Sequence, residues 1–440
     1  MGSIFKAYDI RGVYGQELDE EIAEKIGRAF ATLLNPKTVV VGRDMRPHSN
    51  PLFDALAKGL TAQGVDVIDL GLCSTPMSYF ANGHLQADGG IMITASHNTG
   101  EWNGFKMCRE QAVPISGATG IQDLERIVGT NAFASPSQSP GEVTQHDISA
   151  DYIQHIRSFA DVRRPVRIVV DFANAMGLYE NRVLEGLIEM EPLFDTLDGT
   201  FPNHEANPLK EETYEALQAK VRESSCDFGI AYDGDADRVG FVDETGAIIP
   251  MDMITALIAQ MVLDHHPGSP IFYDLRSSWA VKEVIEERGG KPMMSRVGHA
   301  FIKQQMRDAE AFFAGELSGH YYFRDNYYTE SSALAALYVA NLVSRSDRPL
   351  SELIRPLRRY APSGEINSKV SDVQAVFAKL RDTFGDARIL ELDGLSFEFD
   401  DWWFNVRPSN TEPLVRLNLE AKTPELMQAR RDEVLAIIRG

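Results

Sequence analysis

Apolar positions along the chain alternate between two rhythms. From Glu20 to Leu34, Ile22, Ile26, Phe30 and Leu33 share one face of a 3.6-residue repeat, which predicts an amphipathic helix. Thr38-Val-Val-Val-Gly-Arg-Asp44 then reads as a buried strand ending in charge. Asn50-Pro51 predicts a helix opened by a cap and a first-position proline, with Gly64 closing it. Strands are predicted at Val65 to Leu70 and at Gly89 to Ile93, the second turning polar around Ser96. This strand-helix-strand order predicts a largely parallel sheet with functional loops beyond the strand C-termini.

The plan then restarts twice. Ser135-Pro-Ser-Gln-Ser-Pro-Gly141 has the composition of a linker. After it, Val166 to Asp171 predicts a strand, Glu212 to Ser224 a helix, and Phe228 to Tyr232 a strand ending in Asp-Gly-Asp-Ala-Asp-Arg238. From about 251 the pattern gives a helix at Met253 to Leu263, a strand at Ile271 to Asp274 and a polar turn at Arg276 to Ser278. A strand at Ala311 to Ala314 ends in Gly-Glu-Leu-Ser-Gly-His320. A second break, Arg345 to Gly364, is rich in Arg, Ser and Pro. Beyond it, Leu390 to Phe399 and Pro413 to Leu419 alternate as half-exposed antiparallel strands do, flanked by helices at Val373 to Phe384 and Glu425 to Ile438. The expected architecture is α/β: three successive α/β domains with mixed, largely parallel sheets (1–145, 146–250, 251–360) and a C-terminal α+β domain (361–440). The plan repeats; the sequence does not.

A net charge of −21 argues against nucleic acid or an anionic membrane as a partner, because both need basic surfaces. A phosphorylated small molecule stays open, since a few arginines in one cleft outweigh the global field locally. The cysteines, Cys73, Cys108 and Cys226, have no metal-ligand spacing and read as reduced thiols. The opening MGSIFKAYDIRG has no signal-peptide core, and no apolar run approaches a membrane span. The expectation is a cytoplasmic protein.

Four loops can carry chemistry. Asp233, Asp235 and Asp237 place three carboxylates at alternate positions, unfavourable unless a cation neutralises them. Oxygen ligands suit Mg²⁺, Mn²⁺ or Ca²⁺. An EF-hand is disfavoured because Arg238 stands where the turn glycine belongs and the flanks read as strands. Arg407-Pro-Ser-Asn-Thr-Glu-Pro413 is either an anion nest or a plain turn. Glu316, Ser318 and His320 either clasp sugar hydroxyls or satisfy their own loop. His299 opens a helix pattern. Lys106, ten residues after Ser96, is a proton-transfer candidate or a surface lysine; neighbouring Trp102 and Phe105 would lower its pKa by desolvation.

Five stretches together resemble the α-D-phosphohexomutase superfamily, specifically its bacterial phosphomannomutase/phosphoglucomutase group. They are Ala7-Tyr-Asp-Ile-Arg-Gly12, Thr94-Ala-Ser-His-Asn98 with Asn103-Gly-Phe-Lys106, Asp233 to Arg238, Gly315 to His320, and Arg407-Pro-Ser-Asn-Thr411. They occur in family order and span nearly the whole chain. The resemblance implies a heart-shaped, four-domain fold around a central cleft. It implies that Ser96 carries a phosphoryl group and, with Asp233, Asp235 and Asp237, holds Mg²⁺. Arg11 and Arg238 would lie near the metal and phosphoserine, and Lys106 and His299 would move protons. Glu316, Ser318 and His320 would bind sugar hydroxyls. Arg407, Ser409, Asn410 and Thr411 would bind the non-reacting phosphate, with Arg276 a further basic contact.

The implied reaction moves a phosphoryl group between the 1- and 6-positions of mannose phosphate, and also glucose phosphate, with hexose 1,6-bisphosphate as intermediate and activator. The implied partners are small hexose phosphates, and the chain a monomer or homodimer. Leu317 between Glu316 and Ser318 resembles the mannose/glucose group. The alternatives are a glucosamine or pentose phosphomutase, a phosphatase, or a catalytically silent sugar-phosphate binding protein. Thr99-Gly100 replaces the family's usual proline and predicts a more mobile loop, and Arg416 is the candidate for a second phosphate arginine.

Overall fold

The protein's structure, a computed structural model, describes residues 4–408 and 414–440. Four sheets follow one another along the chain. The first runs Ile10–Val13, Trp102–Arg109, Gly89–Ile93, Thr38–Arg43, Asp66–Leu72, Val143–Gln145. Its last four strands are parallel, and Trp102–Arg109 is antiparallel to both neighbours. The second sheet (Ile248–Ile249, Val239–Asp243, Phe228–Tyr232, Arg167–Asp171, Glu189–Leu193) and the third (Lys291–Ser295, Pro270–Asp274, Phe313–Gly315, Tyr321–Phe323, Thr329–Glu330) are likewise mixed. The fourth (Ala361–Lys369, Leu414–Ala421, Trp402–Pro408, Leu395–Glu398, Arg388–Leu390) is wholly antiparallel. Three α/β domains and a C-terminal domain with an antiparallel sheet result. Among the described residues no helix is long and apolar enough to cross a membrane.

The elements form for local reasons. Asp19 caps Glu20–Leu34 by accepting the Ile22 amide at 2.9 Å, and the helix buries Ala23, Ile26 and Phe30. The following helix starts two residues earlier than its proline suggests. It spans Ser49–Thr61 with His48 at the N-cap, so Pro51 sits third, where a missing N–H still costs nothing. Asn50 does not cap; it accepts a hydrogen bond from Arg43 Nε.

Many of the observed strands lie where the sequence pattern shows none, and two of these position site residues. Trp102–Arg109 is a central strand whose buried positions include Asn103 and Lys106, so polar residues conceal it. Ala361–Lys369 is a mostly exposed edge strand within and beyond the second break, polar because solvent bathes it. The Ser/Pro stretch is tied to the first domain by Ser137 N to Ala62 O and Gly141 N to Thr61 O, and leads into the edge strand Val143–Gln145.

One apolar core runs through the first three domains, joining Val40, Phe80, Tyr152, Phe228, Leu257 and Leu337. A buried carboxylate marks their junction. Glu180 accepts from Ser74 Oγ (2.6 Å), Tyr152 OH (2.7 Å) and the Ala333 amide (3.1 Å), so the N-termini of Thr75–His84 and Ser332–Arg345 meet on it. The C-terminal domain packs a core of its own around Leu380, Phe397, Phe404 and Val434.

Glu420 sits where this last domain meets the third. Its Oε1 accepts from the Trp279 amide (2.9 Å) and Trp403 Nε1 (3.1 Å), and burial pushes its carboxyl up to about 7. The folded state therefore holds a proton that the unfolded chain releases above its ordinary pKa. Stability should fall as pH rises from about 4.5 to 7, by at most about 1.4 kcal/mol per pH unit, and then level off. Glu420→Gln keeps the carbonyl oxygen for both donors. We expect it to flatten that slope in urea titrations across this range and to be more stable than wild type at pH 8.

Candidate active site

The strand Gly89–Ile93 delivers Ser96, itself fully buried, into the turn that follows. Thr94 Oγ1 accepts the Ser96 amide at 2.9 Å, and Ser96 adopts φ 51°, a left-handed backbone unusual for a residue with a side chain. Its Oγ donates to Asp233 Oδ2 at 3.0 Å, across to the second domain. That approach requires glycine on the other side, because a Cβ at Gly234 would run into the Ser96 carbonyl. Gly100 answers to the same constraint: a Cβ there would stand 2.7 Å from the Gly199 carbonyl. Gly100 thus admits the second domain's backbone; it does not simply loosen the loop.

Asp233 to Arg238 forms the hairpin between the antiparallel strands Phe228–Tyr232 and Val239–Asp243. The turn aims all three carboxylates at one point. They are buried and offer ligand atoms within 4.8 Å of one another. Burial, then Asp237 and Asp235, hold the Asp233 carboxyl well above its ordinary value. Among the described residues Asp235 Oδ1 has no hydrogen-bond partner, and the group facing Asp237 Oδ1 is His320 Nε2 at 3.3 Å. Buried carboxylate oxygens converging on one point, one of them without a donor, fit a hard divalent cation.

Lys106 lies mid-strand, not in a loop, and it is buried. Its Nζ donates to Asp235 Oδ2 at 2.6 Å and to Asp237 Oδ2. Burial alone would lower its pKa, as expected from its neighbours. The Asp235 and Asp237 carboxylates overturn that and raise it, so Lys106 is a cation here. Thr75 Oγ1 also donates to Asp235 Oδ2 at 2.6 Å, a contact with no signature in the sequence.

Arg11 and Arg238 flank the cluster. Arg11 is held by Asp9 (2.7 Å) and reaches Asn98 Oδ1 at 2.7 Å. The Arg238 amide donates to Asp233 Oδ1 at 3.1 Å, and its Nε lies 3.8 Å from Asp233 Oδ2. His320 Nε2 lies 3.3 Å from Asp237 Oδ1 and 3.2 Å from Arg238 Nε; it cannot donate to one and accept from the other. Burial opposes its charge, but Asp237 prevails and raises His320 to about 9, which favours the contact with Asp237. Ser318 Oγ pairs with His320 Nδ1 at 2.8 Å. Glu316 is buried and accepts from the Gly298 amide (3.0 Å) and Tyr322 OH (2.5 Å); its pKa is lowered, with His320 overcoming the effect of burial. His299 opens the helix His299–Asp308, its ring 6.4 Å from that of His320. Burial, reinforced by Lys303 and Lys106, holds it neutral, and among the described residues its Nδ1 has no partner.

A second cluster gathers cations. Arg276 is clamped by Asp274 (2.7 Å and 3.1 Å), and Asp274 Oδ2 also accepts the Leu317 amide at 2.8 Å, tying Arg276 to the Glu316 loop. Arg407 (2.9 Å), Arg416 (3.1 Å) and Arg276 (3.9 Å) all converge on Glu365. Three guanidiniums around one carboxylate leave a net positive site, and among the described residues the buried Nε atoms of Arg407 and Arg416 lack partners. Glu365 escaped sequence reading because its strand is the concealed edge strand. Ser409, Asn410 and Thr411 lie outside the described residues.

A buried hydroxyl facing carboxylates that need a cation, with an arginine cluster tied to the Glu316 loop, is an arrangement that suits metal-dependent phosphoryl transfer. Comparison with known proteins agrees. Family profiles described as Phosphoglucomutase/phosphomannomutase match as alpha/beta/alpha domain I over residues 2–135, domain II over 150–246, domain III over 250–360 and C-terminal domain over 365–437. The chain is 42% identical over 450 residues to a phosphomannomutase of Salmonella montevideo, covering 99% of each. It is 41% identical over 444 residues to the phosphohexose mutases of Xanthomonas campestris, again covering 99% of each. A phosphoglucomutase/phosphomannomutase family protein of Burkholderia thailandensis superimposes with a TM-score of 0.91 at 34% identity, covering 99% of this chain and 96% of that one. The chain belongs to the phosphoglucomutase/phosphomannomutase family.

Proposed function

We propose that the protein interconverts the 1- and 6-phosphates of mannose, and of glucose, with Ser96 as the resident phosphate carrier. The observation that carries this is the Ser96 hydroxyl resting 3.0 Å from a buried, cation-ready carboxylate cluster. Phospho-Ser96 passes its phosphoryl group to the free hydroxyl of a hexose monophosphate: the Ser96 Oγ–P bond breaks as the sugar O–P bond forms. The bisphosphorylated sugar turns end for end, and its other phosphate returns to Ser96. A trace of hexose 1,6-bisphosphate primes the enzyme, and the substrates are free sugar phosphates of the cytoplasm.

Each group has a physical task. Neutral His299, with Nδ1 unpartnered, accepts the proton of the attacking hydroxyl. Lys106, Arg238 and Arg11 supply fixed positive charge where the transferring oxygens pass. Asp233, Asp235 and Asp237 would hold Mg²⁺, with Ser96 or its phosphate as a further ligand, and the ion would neutralise charge on the phosphoryl oxygens. Glu316, Ser318 and His320 grip sugar hydroxyls in both poses. Arg276 and Arg407, with Ser409, Asn410 and Thr411, hold the phosphate that is not reacting, and Arg416 and Glu365 complete that site. A phosphatase would have no use for this second phosphate site.

The test compares mannose, glucose and glucosamine 1-phosphates side by side, with Mg²⁺ and a trace of bisphosphate. We expect 6-phosphates from mannose and glucose, with glucosamine at least roughly tenfold slower in kcat/KM. Stoichiometric release of inorganic phosphate would make the protein a phosphatase, and silence with every sugar a binding protein.

A further inference from the structure

The turn after the strand Thr38–Arg43 carries Arg46, whose side chain is wholly buried. A guanidinium has five N–H groups, and here every one has a partner. Nε donates to Asp44 Oδ2 at 3.0 Å. Nη1 donates to the carbonyls of Thr99 (2.7 Å) and Trp102 (3.0 Å). Nη2 donates to the carbonyls of Ser96 (2.9 Å) and Asn98 (2.6 Å). His48 takes a fifth carbonyl: its Nδ1 accepts from Asn103 Nδ2 at 2.8 Å, so Nε2 bears the proton and donates to Gly100 O at 3.0 Å. Asp44 is itself fixed by Ser49 Oγ (2.7 Å) and the Arg46 amide (3.1 Å). The Phe201 ring of the second domain covers the guanidinium at 5.1 Å.

These contacts converge on the residue that reacts. Ser96 keeps its left-handed φ because Thr94 Oγ1 holds its amide and Arg46 Nη2 holds its carbonyl. Among the described residues Arg11 reaches the same loop only through the Asn98 side chain. We propose that Arg46 is a positioning residue: its planar fork collects the carbonyls of Ser96, Asn98, Thr99 and Trp102 and so fixes the direction of Ser96 Oγ toward Asp233. The proposal rests on Ser96 being the phosphate carrier. Phosphoryl transfer in both directions needs in-line alignment, and a displacement near 1 Å costs roughly 100-fold. Lysine cannot replace the fork, because an ammonium has three donors and no plane.

The test is Arg46→Lys beside Leu56→Ala, a core change in the same domain that removes stability without touching the loop. For Arg46→Lys we expect kcat to fall about 100-fold with KM within about threefold, and the fraction of phospho-Ser96 lost to water per turnover to rise. Amides 97–102 should exchange hydrogen at least about tenfold faster. Leu56→Ala should move neither the leak nor this exchange. If Arg46→Lys does not fold, Asp44→Asn decides, with kcat expected to fall about tenfold at unchanged KM. The proposal is overturned if Arg46→Lys keeps kcat within about threefold and wild-type exchange, if Leu56→Ala reproduces its effects, or if Asp44→Asn, used in its place, stays within about twofold. The exchange readout does not depend on turnover, so an inactive wild type would sink the mutase reading while leaving the anchoring role to be judged on exchange.

Discussion

Replacing Ser96 by alanine should lower turnover by about 10⁴-fold or more while the protein stays folded. No other described side chain occupies its position: the hydroxyl is buried, sits on a backbone held at φ 51°, and faces Asp233 at 3.0 Å. Alanine tolerates that backbone no worse than serine does, and the loss of one buried hydrogen bond costs about 1 kcal/mol. The melting temperature should drop by only a few degrees. Steady-state mutase assays with mannose 1-phosphate, alongside thermal melts, separate the two effects. Activity within a few-fold of wild type would remove Ser96 from the mechanism.

Asp235→Asn should cost about 10³-fold in kcat, through the metal. The wild type packs three buried carboxylates together, with Lys106 bridging two of them. Removing one charge relieves repulsion and deprives Lys106 of one anionic partner. These changes oppose each other, so the metal-free variant should lie within about 1 kcal/mol of wild type. The difference appears on adding Mg²⁺. At 100 times its Kd the ion should stabilise the wild type by about 2.7 kcal/mol. The variant should show no shift at the same concentration. An unchanged Mg²⁺-dependent melting shift would place the ion elsewhere.

Much of this molecule was written locally. Helices such as Glu20–Leu34 and strands such as Phe228–Tyr232 bury a periodic apolar face, so periodicity exposes them. The acidic triad is legible because the hairpin needs its three carboxylates within five residues of one another. Concealment begins where tertiary partners override local pattern. Trp102–Arg109 hides because a charged lysine is buried in mid-strand, which only the distant Asp235 and Asp237 make tolerable. The same partners reverse the expected direction of the Lys106 pKa. Glu365 meets Arg407 42 residues away, and Arg46 binds backbone carbonyls some 50 residues on. A carbonyl leaves no mark in a sequence, so no spacing rule could pair Arg46 with the Ser96 loop.

The central claim is that Ser96 carries the phosphoryl group in transit, and one single-turnover experiment tests it most directly. The enzyme is treated with excess hexose 1,6-bisphosphate, desalted, and mapped by peptide mass spectrometry before and after mixing with mannose 6-phosphate. The account predicts one phosphoryl group on Ser96, lost on mixing at least as fast as kcat, with mannose 1,6-bisphosphate formed in equal amount. Phosphate on another residue, or a phospho-Ser96 that outlasts many turnovers, would contradict it.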